Sequence, residues 1–112
     1  KENHIAACGG IDQAVAQARK IAADKIVEVE VESLDELKQA LTAKADVVML
    51  DNFSTEDIAG LKDMDFGETK IEVSGNITEE TVQQYISSAV NYISSGSLTK
   101  HIRAVDLSMR LI

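Results

Sequence analysis

Proline and tryptophan are absent from this chain, and cysteine occurs once. No proline, linker or low-complexity run punctuates the sequence, so nothing marks a domain boundary inside residues 1–112. A single thiol, Cys8, excludes an intramolecular disulfide and suits a reducing cytoplasm. With aromatics at 4%, the core has to be built from Val, Ile, Leu and Ala. Basic residues are also few: 11 Lys and Arg face 19 Asp and Glu, for a net charge of −8. That balance argues against nonspecific nucleic-acid binding. It leaves room for a small anionic substrate held by local dipoles and a metal. No apolar run approaches membrane length, and no signal-peptide pattern is present, so no membrane role is expected. No zinc spacing, Walker loop or dinucleotide fingerprint occurs. The chain suffices for one small domain and is too short for an eight-stranded barrel. It begins at Lys1 rather than Met, as a segment of a longer chain would, or a processed or engineered start.

What is present is a ladder. In Val27-Glu28-Val29-Glu30-Val31-Glu32 valines and glutamates alternate strictly, which predicts a strand with one apolar and one acidic face. Further strands are predicted over Val47–Asp51, Lys70–Ser74 and Tyr92–Ser95, with His4–Cys8 as a candidate fifth. Helical periodicity lies between them. Ile11, Ala14, Val15, Ala18 and Ala22 define a first helix. A second follows the Ser33-x-x-Glu36 capping box with Leu34, Leu37 and Leu41 as its buried stripe. A third starts near Ser54. A fourth starts near Thr78, with Val82, Tyr85, Ile86 and Ala89 on one face. Acids in the first turns suit the positive end of each helix dipole.

One strand and one helix recur every ~20–25 residues, the period of βα units. The expected fold is α/β: a partial (βα) TIM-like barrel of four to five parallel units. Val27, Val29, Val31, Val48, Leu50, Ile71 and Val73 then pack under helices. Glu28, Glu30, Glu32, Val47, Met49, Asp51, Lys70, Glu72 and Ser74 point the other way, into the barrel. An interior row of carboxylates needs cations, and Lys70 is one candidate partner.

Barrel chemistry sits at carboxyl strand ends. Glu30 and Asp51 could hold Mg²⁺ there, which takes one or two carboxylates plus waters and phosphates; the plain alternative is a pair of rim acids. Ser74-Gly75-Asn76 and Ser94-Ser95-Gly96-Ser97 are small Gly-containing turns that could cradle a phosphate, or be tight βα turns and nothing more. By pattern alone Lys1-Glu2-Asn3-His4 reads as a frayed terminus, Thr99-Lys100-His101 likewise, and Cys8 as a small packed residue.

Five motifs then carry a resemblance: Lys1-Glu2-Asn3-His4-Ile5, Glu28-Val29-Glu30-Val31-Glu32, Met49-Leu50-Asp51-Asn52-Phe53, Val73-Ser74-Gly75-Asn76 and Gly96-Ser97-Leu98-Thr99-Lys100-His101. With the ending Val105-Asp106-Leu107-Ser108-Met109-Arg110, they resemble the quinolinate phosphoribosyltransferases in order and spacing over nearly the whole chain. The resemblance implies formation of nicotinate mononucleotide, pyrophosphate and carbon dioxide from quinolinate and phosphoribosyl pyrophosphate, a step of NAD synthesis. It implies that Lys1 contacts a quinolinate carboxylate or the sugar-phosphate substrate. Glu30 and Asp51 would anchor Mg²⁺, and Ser74, Gly75, Asn76, Ser95, Gly96 and Ser97 would grip the 5′-phosphate. It also implies an N-terminal sandwich domain and first barrel units ahead of this segment, a basic quinolinate pocket outside it, and a homodimer or larger homo-oligomer. On this basis the segment alone is inactive. Ala43-Lys44-Ala45-Asp46 stands where the family often has a Gly-containing turn, and Ser95 and Ser97 replace commoner Val and Ala. Molybdenum-transport pyrophosphorylase-like proteins share the barrel, but Asp51-Asn52-Phe53 favours the quinolinate enzymes. A noncatalytic barrel fragment is the alternative from another class.

Overall fold

The computed structural model describes residues 1–112. Its element order is α1 (Glu2–Cys8), α2 (Ile11–Ile21), β1 (Glu28–Val31), α3 (Leu34–Thr42), β2 (Val47–Asp51), α4 (Thr55–Gly60), β3 (Lys70–Ser74), β4 (Tyr92–Ile93) and α5 (Ser97–Lys100). Short 3₁₀ turns lie at Leu61–Asp63 and Val82–Tyr85. The four strands form one sheet in chain order, and every neighbouring pair is parallel. Parallel neighbours require crossovers, and these run through α3, through α4 with its 3₁₀ extension, and through the 77–91 segment.

The period-2 pattern sorts the two faces as expected. Val29, Val31, Val48, Leu50, Ile71 and Val73 are buried against Leu37, Ala40, Ile58, Leu61 and Ile77. The opposite face buries no side chain: Glu28 and Lys70 are exposed, and Glu30, Met49, Asp51, Glu72 and Ser74 are half-buried. This is a partial (βα) barrel with its interior face open and an unpaired edge on β1 and on β4.

Caps set the helix starts. Ser33 Oγ accepts from the Glu36 amide at 3.2 Å, but Glu36 Oε2 reaches the amide of Glu32, one residue before the cap, at 2.8 Å. At Ser54 the reciprocal box closes, with Asp57 as its second member. Leu37 and Ala40 are the buried residues of α3, whereas Leu34 is 39% exposed and stands outside the stripe assigned to it.

Three expectations are corrected. His4–Cys8 is helical: the Lys1 carbonyl accepts from His4 and Ile5, and Gly9, at φ +88, closes the C-terminus with the help of Gly10. The Gly9-Gly10 pair was the readable signal, because a glycine in the left-handed region ends helices. Cys8 accordingly sits exposed at the end of α1, which has no fully buried residue and touches the core only through half-buried Ile5. The helix expected from Thr78 reduces to the 3₁₀ turn Val82–Tyr85, and Ile86 is 63% exposed. Here Thr81 Oγ1 takes the Thr78 amide at 2.9 Å and Ser87 Oγ takes the Ala89 amide at 3.3 Å. Such side-chain bonds compete with the helical ladder, and β-branched Thr78, Thr81 and Val82 weaken it further. At the other end of the sheet, Lys44 takes φ +56, a left-handed conformation that glycine adopts more freely than lysine.

The amino end of the sheet is tied by Asp46. Its Oδ2 accepts from the Val27 amide at 2.7 Å and lies 3.2 Å from the Arg19 guanidinium of α2. Arg19 also donates to the Lys44 carbonyl at 2.8 Å. The Val27 amide first, then Arg19, hold the Asp46 carboxyl below its ordinary value of 3.8. A depressed carboxyl contributes stability above its unfolded pKa and loses it as pH falls through the folded one. Asp46→Asn is therefore expected to destabilise at neutral pH by about 1 kcal/mol, a small figure because the side chain is 41% exposed and screened. The variant should lose less stability than the parent between pH 4 and 2. Denaturant midpoints across that window check it, and parallel curves would refute it.

Candidate active site

The carboxyl end of the sheet gathers most of the candidate residues. Asp51 ends β2 and pairs in register with Ser74, the end of β3. Glu30 stands deeper. Its neighbours across the sheet are Met49 and then Glu72, so it sits two residues below Asp51 rather than beside it. Glu28, Glu30 and Glu72 share the open face. Partial burial first, then the charges of Glu72 and Glu30, raise the Glu28 carboxyl above its ordinary 4.5, while the amino terminus pulls it down. Glu72 is held by the Ser94 hydroxyl, a bond across neighbouring strands.

The cation that reaches this face is Lys1. Its Nζ lies 3.5 Å from Glu30 Oε2, and its carbonyl caps α1. The segment read by pattern as a frayed end is thus placed over the acidic ladder. Lys70, the partner expected for Glu28 or Glu32, makes no ion pair. It opens β3 at the amino end of the sheet, level with Val47 and Glu28, and is exposed. Glu32 lies past the end of β1, where its amide is engaged by α3. No three His, Cys, Asp or Glu side chains are grouped to hold a metal ion.

At the rim, Asn52 and Asn76 both take positive φ, +56 and +50, and Gly75 takes +97. Asn52 donates through its backbone to the Ser74 carbonyl at 3.0 Å and through Nδ2 to Asp51 Oδ2 at 3.0 Å. Its Oδ1 accepts from Asn76 Nδ2 at 3.3 Å. Beyond β4, the Ser95 and Ser97 hydroxyls both lie on the Ile77 carbonyl, Ser97 at 3.1 Å, and are 2.8 Å from each other. These hydroxyls lock the 74–77 and 94–97 loops together. The main-chain N–H groups of Gly75, Asn76 and Gly96 donate to no carbonyl of the chain. These backbone donors are therefore unpaired within the chain, while the serine hydroxyls are taken up on the Ile77 carbonyl. A cleft of about 560 Å³ next to the lock is lined by Ser97, Thr78, Glu80, His101 and Arg103, and by none of Lys1, Glu30 or Asp51. Residue-type reasoning placed Glu72 on the interior face and Ser94 in the second turn without joining them, and it gave Asn52 no role beyond its motif. An Asn at a strand end was a readable signal for left-handed backbone; the Ser94–Glu72 bond was not, since it depends on register.

No helix is long and apolar enough to cross a membrane. Comparison with known proteins bears on the same residues. Residues 1–110 match the family described as quinolinate phosphoribosyl transferase, C-terminal domain. The chain is 40% identical over 110 residues to the probable nicotinate-nucleotide pyrophosphorylase (carboxylating) of Bacillus subtilis, covering 97% of itself and 38% of that protein. It is 41% identical over 116 residues to the human nicotinate-nucleotide pyrophosphorylase (carboxylating), covering 99% of itself and 39% of the relative. Among solved structures, the nicotinate-nucleotide pyrophosphorylase of Francisella tularensis superposes with a TM-score of 0.86 at 52% identity, over 96% of this chain and 38% of that one. The chain thus spans under two fifths of the length of these relatives, and it belongs to the quinolinate phosphoribosyl transferase family, matching its C-terminal domain.

Proposed function

We propose that this chain supplies the metal- and phosphate-binding side of a site that makes nicotinate mononucleotide from quinolinate and phosphoribosyl pyrophosphate. The observation that carries the reading is the pairing of Asp51 with Ser74 at the strand end, next to the unpaired backbone donors of Gly75 and Asn76, with Gly96 in the loop bonded to theirs through Ser95 and Ser97. Free amides beside a carboxylate suit a sugar phosphate: the amides take the 5′-phosphate, and the acid faces ribose hydroxyls and developing positive charge.

In the proposed reaction the quinolinate ring nitrogen bonds to the anomeric carbon as the pyrophosphate oxygen leaves. A ring carboxylate departs as carbon dioxide, and the ring carbon takes a proton. The Glu30 and Asp51 carboxylates stabilise the oxocarbenium-like transition state. Lys1, whose side chain is 70% exposed, exchanges its Glu30 partner for a quinolinate carboxylate or a substrate phosphate. The donor set suits Mg²⁺, since Glu30 and Asp51 offer hard oxygens and too few of them for an all-protein cage. Bound there with substrate phosphates, the ion would neutralise the leaving pyrophosphate.

The basic pocket for a dianionic pyridine is assigned to parts of the family's longer chain, and the isolated 112-residue segment is expected to be inactive. Its open barrel face and two free edges suit burial against further barrel units and, in the whole protein, homodimeric or larger assembly. The test is a graft: the chain replaces the matching segment of the Bacillus subtilis relative. Pyrophosphate release is then followed with quinolinate and with nicotinate. Release with quinolinate alone, matched by nicotinate mononucleotide, is the expected result. No product from a folded graft, or equal use of nicotinate, would overturn the reading. Product from the isolated segment would overturn its assignment as half a site.

A further inference from the structure

We infer that Asn52 is a positioning residue that couples the Asp51 carboxylate to the Ser74–Asn76 loop, so that acid and phosphate-facing backbone are held as one unit. The inference rests on the function proposed above for Asp51 and the loop. Its geometry rests on four contacts made by one side chain and its backbone. The Asn52 amide donates to the Ser74 carbonyl, continuing the β2–β3 pairing one residue past the strand end. Nδ2 donates to Asp51 Oδ2 at 3.0 Å, and Oδ1 accepts from Asn76 Nδ2 at 3.3 Å. Gly75 closes against the same group: a Cβ there would clash with Asn52 Oδ1 and stand 2.7 Å from the Asn52 nitrogen.

Few residue types can do this. The backbone at φ +56 favours Gly, Asn or Asp. Glycine has no side chain to bridge with. Aspartate has the shape but no donor, and it would set a second carboxylate against Asp51. Asparagine alone among them offers a donor to the acid and an acceptor to the loop from a single planar amide.

Two variants separate the bonds. Asn52→Asp keeps the acceptor for Asn76 and removes the donor to Asp51. Asn52→Gly keeps the backbone conformation and removes both. Both are made in the grafted enzyme, and crystal structures and steady-state kinetics are obtained for each. In Asn52→Asp the Asp51 carboxylate is expected to turn away while residues 74–76 stay in place. In Asn52→Gly both should shift. For both, kcat/KM toward phosphoribosyl pyrophosphate is expected to fall about tenfold, the size of effect that a modest misplacement of a substrate-orienting group produces. The KM for quinolinate should stay within about twofold, since uniform loss of fold would move both substrates together. Asp51 and residues 74–76 unmoved in both variants, or parental kinetics toward phosphoribosyl pyrophosphate, would overturn the coupling. A parental graft that makes no product would count against the proposed function instead, and the crystal comparison would still decide whether Asn52 couples the two elements.

Discussion

Replacing Asp51 by alanine in the grafted enzyme is expected to lower kcat by about 100- to 1,000-fold at saturating Mg²⁺, the range for losing one preorganised electrostatic group. The fold should survive. Asp51 closes β2 on the open face, half-buried, and its one side-chain partner is the neighbouring Asn52 amide, which can turn to solvent. None of the core contacts around Leu50 and Val48 involves its carboxylate. A thermal midpoint close to the parent's, with turnover lost, is therefore the predicted pair of results. Asp51→Asn sharpens the test, because it preserves shape and an acceptor for Asn52 while removing the charge. Near-parental turnover in Asp51→Ala would remove this residue from the site. Near-parental turnover in Asp51→Asn would show that its hydrogen bond, and not its charge, is what matters.

Gly75→Ala is expected to give the largest loss of stability for a single methyl group. At φ +97 an alanine already occupies a region that L side chains rarely adopt, a cost of about 1–3 kcal/mol. The added carbon would also meet the Asn52 amide oxygen and backbone nitrogen well inside contact distance. The nitrogen is fixed by its bond to the Ser74 carbonyl, so relief requires opening the β2–β3 rim. Gly67→Ala is the control. Its φ of +57 imposes backbone strain as well, but a Cβ there meets nothing within 4 Å. Denaturant unfolding of both should show Gly75→Ala as the costlier, by the clash term. Turnover in the graft should fall with Gly75→Ala and hold with Gly67→Ala. Equal stability losses would mean that the rim yields easily, and that the Asn52–Gly75 contact is not a rigid joint.

Local pattern carried far along this chain. The valine–glutamate alternation identified both faces of β1, and Ser33 and Ser54 marked the starts of α3 and α4. The βα period was enough to place Asp51 and Ser74 at carboxyl strand ends, where the structure pairs them. It failed where two local tendencies competed. Residues 78–89 have a helical apolar spacing, yet Thr81 and Ser87 satisfy nearby amides from their side chains and the chain leaves the helix after one 3₁₀ turn. It failed again at Lys70, chosen as a partner for the glutamates because it falls on the same face. Face is a matter of parity along the strand, while ion pairing depends on height along the sheet and on which residues lie beyond its edge.

What the amino-acid sequence determined by itself is the alternation of strands and helices, the side of the sheet that is buried, and the family motifs in their order. These follow from periods of two and 3.6 residues and from short-range caps, all set within a few positions of chain. Only the tertiary structure decided that Lys1 lies on Glu30, that Glu72 is held by Ser94, that Ser95 and Ser97 brace the Ile77 carbonyl, and that Asn52 ties Asp51 to Asn76. Most of these contacts join residues about 20 or more positions apart. Strand register and the length of each crossover set them, and a two-residue shift in register would replace one polar partner with another while keeping the same side chains on the buried face.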